Sequence, residues 1–426
     1  TMRLGTFLRF MWTVRSKRPI DLERIKGMGL LAVKVGQILA LRPDLLPPER
    51  CLELQGLYQR THTKHAAPLS RLMAKNCPDG FADHFASIEE EPMAAASIGQ
   101  VHAATLHDGR EVVIKFVKDD FEEPFRKDVA RMKRWLSAVL FFSPRLRKVG
   151  NPMALLNHIE TYTLDELDLR NERRGQIRLQ EAMESVKEDF PLERLRFPEI
   201  HTDISSERVL VVERVRELSI EDRIDNGSLG WDDLLQLFRI QGAFMFGLGT
   251  FHGDLHPGNA MLDEDGVYTF IDTGAICEAP EHVRAALFGF FEHLARGNLD
   301  EAFIAMLGMA ATPPTGAKMD RYMRDMHQLY DGFVGTSVSE VSLTQQMMKT
   351  VRTAVLAGCT FGEEAFPIIR SLMYMDGMVL RSHPDVDLIT SMGPHLDAFK
   401  AIMPEASVDI APTKQRSRLS GTPLPS

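Results

Sequence analysis

The stretch Phe-His-Gly-Asp-Leu-His-Pro-Gly-Asn, at 251–259, limits what this chain can fold into more than any other. It places Asp254 and Asn259 five positions apart on one loop, a spacing that lets the aspartate face an acceptor hydroxyl while the asparagine reaches a metal ion. The apolar strand Val-Tyr-Thr-Phe-Ile follows and ends at Asp272-Thr-Gly. Asp272 supplies a carboxylate for Mg²⁺, a cation that prefers oxygen ligands. The two loops together predict a site for phosphate chemistry.

A lysine earlier in the chain completes this set. Lys115 ends the apolar strand Val-Val-Ile-Lys, where its ammonium can point at the α- and β-phosphates of a nucleotide. Transfer of a γ-phosphoryl group needs a cation that holds the phosphates, magnesium that bridges them and a carboxylate that orients the attacking oxygen. Each motif alone is common at strand ends and turns. The ordered set, strand lysine, HxDxxxxN and strand-DxG, predicts ATP and Mg²⁺ as cofactors.

Two histidines in the first loop, His252 and His256, stand four positions apart and could be taken for a metal pair. Pro257 and Gly258 argue against the helix that such a pair needs. We therefore expect no zinc at this loop, and we expect His252 to brace it through hydrogen bonds.

Composition and charge exclude several other functions. The chain has 426 residues, 44% hydrophobic and 26% charged, enough for one large bilobal domain. Its net charge of −9 argues against a nucleic-acid partner. The four cysteines form no CxxC pair, which indicates neither zinc nor disulfides and favours a reducing, cytoplasmic compartment. No apolar run approaches the roughly 18–20 residues of a spanning helix, so we expect no transmembrane segment.

Turn and strand signals divide the chain. A mainly helical extension is broken by the proline-rich Arg-Pro-Asp-Leu-Leu-Pro-Pro-Glu. A strand hairpin turning at Asp108-Gly109 follows, then one long charged helix that opens at Asn151-Pro152, and then the strand 208–215. The remainder is rich in helix, and the Pro- and Ser-rich end predicts a disordered tail. The predicted segments are 1–90 (extension), 91–215 (sheet-containing part), 216–403 (helical part) and 404–426 (tail).

The first 18 residues combine basic side chains with apolar ones at helical spacing. The apolar positions are Leu4, Phe7, Leu8, Met11 and Trp12. Such a helix can lie on an anionic membrane or pack on its own protein, and the sequence leaves both alternatives open.

Three further motifs carry a family resemblance. They are Lys-Val-Gly-Gln (34–37) with the proline-rich segment after it, Ala-Ala-Ala-Ser-Ile-Gly-Gln-Val-His (94–102), and Glu-Leu-Asp-Leu-Arg-Asn-Glu (166–172). They resemble the KxGQ signature, the alanine-rich loop and the ExD motif of the UbiB family of atypical protein-kinase-like proteins, also called the AarF or ADCK group. The resemblance spans roughly residues 20–390. It implies an α+β, bilobal protein-kinase-like fold with the helical extension packed over the active site.

The resemblance also implies roles for individual residues. Lys115 would contact phosphates and pair with Glu172, the counterpart of the glutamate on the kinase C-helix. Asp254 would stand at the catalytic-base position, and Asn259 and Asp272 would hold the metal. The residues implied at the nucleotide are Ala94, Ala95, Ala96, Ser97, Lys115, Glu213 and Val215, the last two through the backbone that meets adenine.

The resemblance implies a lid over the acceptor space. Lys34 and Gln37 would lie over the active site near Glu166 and Asp168, and we expect Lys34 to form an ion pair with one of these two carboxylates. Such a lid closes the space where a typical kinase admits a peptide. The resemblance therefore argues against peptide substrates.

Three departures from common kinases concern the site. Alanine does not take the positive-φ conformations that glycine takes freely, so the loop containing Ala96 should be more fixed and should restrict nucleotide geometry. Thr273 replaces the phenylalanine of the common DFG motif, which argues against a switch based on that aromatic ring. Gly253 takes a position often held by alanine or arginine and leaves Asp254 intact.

These observations together predict an ATP- and Mg²⁺-dependent atypical kinase or ATPase. The resemblance implies a role in isoprenoid-quinone (ubiquinone-type) biosynthesis or related lipid metabolism, beside lipid-biosynthesis enzymes and peripheral at the inner membrane. Two alternatives stay open. A small-molecule phosphotransferase of the aminoglycoside or choline kinase type would share the HGDLHPGN loop but leaves the KxGQ-like segment unexplained. A nucleotide-binding regulatory scaffold with little turnover is compatible with a closed acceptor site, although the retained Lys115, Asp254 and Asp272 argue against it.

Overall fold

The computed structural model describes residues 4–58, 66–95, 99–118, 122–142, 152–362 and 364–403. One large cluster of buried apolar side chains joins the N-terminal helices to the helical C-terminal part of the chain. A smaller cluster lines the main sheet. The α+β, two-lobed protein-kinase-like architecture agrees with the predicted fold class. The predicted tail, 404–426, lies outside the described residues.

The N-terminal extension is helical, as predicted. Its helices are α1 (Leu4–Arg15), α2 (Leu22–Lys26), α3 (Leu30–Ala40), α4 (Pro48–Gln55) and α5 (Leu69–Asn76). Pro48 begins α4, because a proline at the first helical turn gives up no hydrogen bond. Leu31 and Leu54 are buried in the large cluster, whereas Leu72 of α5 belongs to the cluster of the sheet. Most of the extension therefore shares a hydrophobic core with the C-terminal lobe.

Helix α1 has one buried and one exposed face. Phe10 and Val14 are buried, whereas Leu4, Leu8 and Trp12 are 48%, 58% and 55% exposed. Packing on the protein, one of the two predicted alternatives, accounts for the first face only. The second face presents apolar side chains to solvent.

Strands β1 (Phe85–Ile88), β2 (Ala94–Ala95), β3 (Gly99–Leu106) and β4 (Glu111–Val117) begin the N-terminal lobe. Strands β3 and β4 form the predicted hairpin, in which Gly109 has a φ of 89° that its tight turn requires. Strand β1 pairs with β3, so the sheet begins before residue 90, inside the stretch predicted as helical extension. Burial of Phe85 in the sheet cluster accounts for this extended conformation.

Helices α6 (Glu122–Phe142), α7 (Pro152–Asp165) and α8 (Arg170–Ser185) precede β5 (Leu195–Arg196) and β6 (Val209–Glu213). Strand β6 completes the main sheet in the order β1-β3-β4-β6. The prediction of one long charged helix is wrong, because a short non-helical segment separates α7 from α8. Leu167 and Leu169 of that segment pack against Val117 and Leu210 of the sheet. Asn151, the predicted cap of α7, lies outside the described residues.

The C-terminal lobe opens with β7 (Leu218–Ser219), α9 (Ile220–Asp225) and α10 (Trp231–Gly242). Its short strands β8 (Thr250–His252), β9 (Ala260–Leu262), β10 (Tyr268–Phe270) and β11 (Ile276–Glu278) carry the two loops of interest. Strand β8 pairs with β11, and β9 pairs with β10. The loop 253–259 and the loop 271–275 therefore connect the same two strand pairs and lie side by side.

Helices α11 (Glu281–Ala295), α12 (Leu299–Met306), α13 (Ala317–Tyr330), α14 (Leu343–Leu356), α15 (Ala365–Ser382) and α16 (Leu388–Phe399) complete the lobe, with β12 (Ala310–Thr312) and β13 (Thr360–Phe361) paired between them. The four cysteines are free thiols, as expected. Across the described segments, every helix is too short or too polar to cross a membrane.

Candidate active site

Lys115 lies at the centre of one side of the site. It is on β4, and its Nζ forms ion pairs with Glu172 of α8 and with Asp272 Oδ1, the second at 3.0 Å. Burial lowers the pKa of Lys115, but the Asp272 and Glu172 carboxylates outweigh burial and hold that pKa above its ordinary value. The structure thus brings together three predicted site residues that are far apart in the chain.

A direct contact joins α8 to the Asp272 loop. Thr273 Oγ1 donates a hydrogen bond to the carbonyl oxygen of Glu172 at 2.7 Å. Gly175, one turn further along α8, lies so close that an added Cβ would overlap the carbonyl oxygen of Thr273. The threonine that replaces the expected aromatic ring therefore ties the loop to the helix that carries Glu172.

Asp272 stands out in its backbone conformation and its charge. Its φ of 56° is the only positive value at a non-glycine residue in the part of the chain that the structure describes. Strain of this kind clusters at functional sites. The Lys115 ammonium lowers the pKa of Asp272 to about 2, against the effect of burial. Burial instead raises the pKa of Glu172 despite the same ammonium. Asp272, whose side chain is 48% exposed, is therefore the carboxylate available to a cation.

His252 braces the loop that carries Asp254, as the sequence predicted. Its buried ring donates from Nε2 to the carbonyl oxygen of Ile271 at 3.0 Å and accepts at Nδ1 from the Asp254 N–H at 3.2 Å. Burial lowers the pKa of His252, which favours the neutral ring that these two partners require. His256 Nδ1 likewise accepts from the Gly258 N–H at 3.1 Å. Both rings serve the backbone of the loop.

Asn259 connects the two loops. Its side-chain Nδ2 donates to the main-chain carbonyl oxygen of Asp254 at 3.1 Å. Its main-chain carbonyl oxygen accepts from the Ile271 N–H at 3.0 Å. Because Ile271 precedes Asp272, Asn259 and Asp272 lie beside each other. Each can offer a hard oxygen ligand, the kind that Mg²⁺ takes together with phosphate oxygens and water. No cluster of three or more His, Cys, Asp or Glu side chains able to hold a metal occurs within the described segments. An amide oxygen and a carboxylate oxygen side by side fit Mg²⁺ when phosphate oxygens and water supply its other ligands.

Asp254 is held from α15 by two residues that sequence reasoning missed. Tyr374 Oη donates to Asp254 Oδ1 at 2.7 Å, and the buried guanidinium of Arg370 lies nearby. Burial raises the pKa of Asp254, but Arg370, His256 and the Tyr374 hydrogen bond outweigh it and hold that pKa below its ordinary value. The available signal was an arginine and a tyrosine four positions apart in the largely apolar run Phe-Pro-Ile-Ile-Arg-Ser-Leu-Met-Tyr-Met.

The predicted ion pair of Lys34 is present. Its Nζ lies 2.7 Å and 2.8 Å from the two carboxylate oxygens of Glu166. Asp168, the alternative partner, binds Arg170 at 2.7 Å and lies 3.4 Å from Arg174. Helix α3 of the extension is thus joined to the segment between α7 and α8.

Gln37 forms hydrogen bonds to the turn that follows α4. Its side-chain Nε2 donates to the main-chain carbonyl oxygen of Leu57 at 2.9 Å. Its main-chain carbonyl oxygen accepts from Tyr58 Oη at 2.8 Å. The ring of Tyr58 meets that of Tyr374 edge to face, with 6.1 Å between the ring centroids. Gln37 therefore supports the turn that contacts Tyr374, while the Glu166 carboxylate is bound by Lys34 alone among the predicted lid residues.

The structure describes part of the protein backbone that was predicted to contact the nucleotide. Glu213 ends β6, and its carboxylate accepts from Arg196 and from the Glu199 N–H, both at 3.0 Å. The N–H of Val215 makes no hydrogen bond to another described residue, so it is an unused donor beside the proposed adenine position. Ala94 and Ala95 form β2, whereas Ala96 and Ser97 lie outside the described residues.

Comparison with known families gives one model that covers more than half of the chain. Residues 56–305 match the ABC1 atypical kinase-like domain. An uncharacterized protein of Mycobacterium tuberculosis, Rv0647c, is 31% identical over 338 residues, which are 74% of this chain and 67% of that protein.

Further relatives carry a kinase name. Proteins named probable protein kinase UbiB from Pseudomonas putida and Aliivibrio fischeri are 24% and 26% identical to this chain. These matches cover 91% and 88% of this chain and 73% and 69% of the relatives. The solved complex of Rv3197 with erythromycin from Mycobacterium tuberculosis is 22% identical, with a TM-score of 0.50, and covers 82% of this chain and 91% of that one. This last likeness concerns the fold alone.

Proposed function

The chain belongs to the ABC1 atypical kinase-like family, and from this membership we propose that it binds ATP with Mg²⁺ and delivers the γ-phosphoryl group to a hydroxyl or to water. The observation that carries the proposal is the Lys115 ammonium, held between Glu172 and Asp272. A lysine on a strand that is paired with a helix glutamate holds phosphates in kinases.

Each side chain of the set has one proposed task. Lys115 holds the α- and β-phosphates, and Glu172 keeps Lys115 in place. Asn259 and Asp272 would hold Mg²⁺, which would neutralise charge on the phosphates. Asp254 orients the attacking hydroxyl or water and takes its proton.

The backbone contacts are proposed from the resemblance. The adenine would meet Glu213 and Val215, and the unused N–H of Val215 supports this. The phosphates would meet the loop from Ala94 to Ser97. Because alanine disfavours positive φ, we expect Ala96→Gly to change nucleotide affinity or self-phosphorylation. Calorimetry and phosphate incorporation would measure both, and no change in either would remove this loop from the mechanism.

The extension is proposed to act as a lid. The Lys34–Glu166 ion pair supports a closed acceptor space that admits no peptide. Removal of residues 1–50 tests this directly. A chain without them should differ in hydrolysis rate, nucleotide preference or acceptor access, and identical behaviour would show that the lid idea is wrong.

We propose the substrate class from the names of the relatives. Proteins named probable protein kinase UbiB support a role in isoprenoid-quinone (ubiquinone-type) biosynthesis or related lipid metabolism. A peripheral contact of α1 with an anionic membrane is supported by exposed Leu8 and Trp12 and by exposed Arg9 and Arg15 on the same helix. Co-sedimentation with anionic vesicles should fall for the double variant Leu8→Ser/Trp12→Ser, whereas neutral vesicles should bind neither form.

The deciding experiment compares ATP binding with ATP hydrolysis in the presence and absence of Mg²⁺. The proposal expects both, with hydrolysis lost in Asp272→Asn. Binding without hydrolysis, even with anionic lipid and quinone precursors present, would instead support a regulatory scaffold, which the Tyr374–Asp254 contact also permits. Rapid stoichiometric phosphorylation of a small hydroxyl compound would support a small-molecule phosphotransferase.

A further inference from the structure

The hydroxyl of Tyr374 already sits where an acceptor hydroxyl would have to be. A general base works from about 2.6–3.2 Å of the heavy atom whose proton it removes. Tyr374 Oη lies 2.7 Å from Asp254 Oδ1 and donates its proton to that oxygen. Tyr374 is therefore presented to the proposed base in the manner of a substrate.

The ring of Tyr374 is fixed from two other elements. Tyr58, from the turn after α4, contacts it edge to face at 6.1 Å with an interplanar angle of 89°. His256, on the catalytic loop, contacts it at 6.1 Å and 72°. Tyr58 in turn donates to the backbone of Gln37. An acceptor from outside would have to displace a side chain that the extension holds in position, whereas Tyr374 needs no entry path.

A cation with an unused donor lies one helical turn away. Arg370 is only 9% exposed, and its Nη1 donates to Tyr162 Oη at 3.3 Å. Its Nε has no hydrogen-bond partner in the described part of the chain. A buried donor without a partner is unfavourable, and a guanidinium matches phosphate oxygens in charge and geometry. Residues four apart on a helix share a face, so Arg370 can meet a phosphate carried by Tyr374.

We propose that Tyr374 is a phosphorylation site of this chain's own active site, modified in cis and then paired with Arg370. The proposal rests on the proposed function, because the donor is the γ-phosphoryl group of ATP. Tyr374 Oη forms the new oxygen–phosphorus bond while the bond between the γ-phosphorus and the β,γ-bridging oxygen breaks. The phenolic proton passes to Asp254, and ADP leaves with the electron pair of the broken bond. No other reactant is needed.

The test is phosphopeptide mapping of the full chain after incubation with Mg²⁺ and γ-labelled ATP. We expect one phosphate per chain on the peptide that contains Tyr374, at a rate per molecule that does not depend on protein concentration. Tyr374→Phe should reduce incorporation to background. Tyr330→Phe is the control, because Tyr330 is another tyrosine whose hydroxyl is hydrogen-bonded inside the same lobe, to Thr350, and it should retain incorporation.

A second pair of variants tests the arginine. Arg370→Met should slow incorporation at Tyr374, since the new phosphate loses its partner. Arg381→Met is the control on the same helix, because Arg381 pairs with Glu221 and Asp225 at the surface, and it should leave the rate unchanged. Equal rates for both variants would remove Arg370 from the proposal.

A readout without nucleotide tests the starting contact. In a double-mutant cycle of Tyr374→Phe with Asp254→Asn, the unfolding equilibrium constants should show a coupling of roughly ten-fold or more, as for a hydrogen bond to a charged group. Absence of coupling would overturn the premise. If the chain hydrolyses ATP but carries its phosphate elsewhere or nowhere, the modification is refuted and the proposed function stands. If the chain binds no nucleotide, both fall.

Discussion

The two sides of the candidate site are built differently. On the proposed nucleotide side, Lys115 and Glu172 are largely buried, and Asp272 beside them keeps 48% of its side chain exposed. On the acceptor side, Asp254 is enclosed by Tyr374 and Arg370 of α15. The first side offers charged groups to a charged ligand. On the second side, protein groups already occupy the contacts of the Asp254 carboxylate.

The difference shows where specificity can reside. A charged, partly exposed cluster can accept any nucleotide with suitable phosphates, because Coulombic attraction has little shape requirement. An enclosed carboxylate that already has a hydroxyl donor admits only an acceptor that replaces this donor. We therefore expect variants of the nucleotide side to change catalysis and variants of the acceptor side to change which hydroxyl is used.

The largest effect should come from breaking the nucleotide side alone. Asp272→Asn removes a proposed metal ligand, and hydrolysis of ATP should fall by roughly 100-fold or more, as for the loss of one group that stabilises transition-state charge. The thermal unfolding midpoint should fall only modestly, because the half-exposed side chain contributes little packing although its ion pair with Lys115 is lost. Asp265→Asn, at an exposed turn between β9 and β10, is the control. Equal hydrolysis in both variants would place the metal elsewhere.

The next test concerns the joint between α8 and the Asp272 loop. Gly175→Ala introduces a methyl group that overlaps the Thr273 carbonyl oxygen, so α8 must shift and the fold should lose about 1–3 kcal/mol. Hydrolysis should fall with it, since Glu172 moves. In α15, an added Cβ at Gly377 meets no atom within 4 Å, and Gly377→Ala should gain about 0.5–1 kcal/mol. Urea unfolding measures both, and similar shifts in the two variants would contradict the tight contact.

A smaller effect is expected where the extension meets the acceptor side. Lys34→Met removes the ion-pair partner of Glu166. In the unaltered pair, the Lys34 side chain is 16% exposed and the Glu166 side chain is 24% exposed. Unfolding free energy should fall by about 2 kcal/mol, below the loss for a fully buried pair because some water reaches this one. Lys127→Met breaks an exposed i,i+4 pair with Glu123 and should lower the unfolding free energy far less, because water screens that pair.

The loss of unfolding free energy in Lys34→Met should depend on pH, and the direction of this dependence can be predicted. Burial raises the pKa of Glu166 against the Lys34 ammonium, and removing that ammonium raises it further. A carboxyl whose folded-state pKa lies above its unfolded value favours folding at low pH and opposes it as pH rises through the folded pKa. The destabilisation should therefore shrink between pH 7 and pH 5 in urea titrations. A loss that grows on acidification would mean that Glu166 is not enclosed.

The sequence predicted the nucleotide side because its chemistry is local. The lysine at a strand end and the aspartate after a strand are each recognisable within a few residues, and the two meet at 3.0 Å. His252 could be predicted to brace its loop because Pro257 and Gly258 exclude a helix. The ion pair of Lys34 with Glu166 followed from a family resemblance and not from spacing.

What the sequence did not predict depends on tertiary packing. Arg370 and Tyr374 lie in a run that has the pattern of a core helix, so the loop that they contact could not be inferred. The break between α7 and α8 was missed because Leu167 and Leu169 fit a helical pattern but pack against the sheet. The hydrogen bonds of Gln37 to Leu57 and Tyr58 could not be inferred either, because those residues come together with it only in the folded chain.

The most direct test of the central claim, that Lys115, Asn259 and Asp272 meet at one magnesium–triphosphate site, is calorimetric titration of ATP into the full chain with and without Mg²⁺. The account predicts one site per chain, tighter binding with Mg²⁺ than without, and a marked loss of affinity in Lys115→Met. Equal affinity in Lys115→Met, or no binding of ATP to the unaltered chain under either condition, would contradict it.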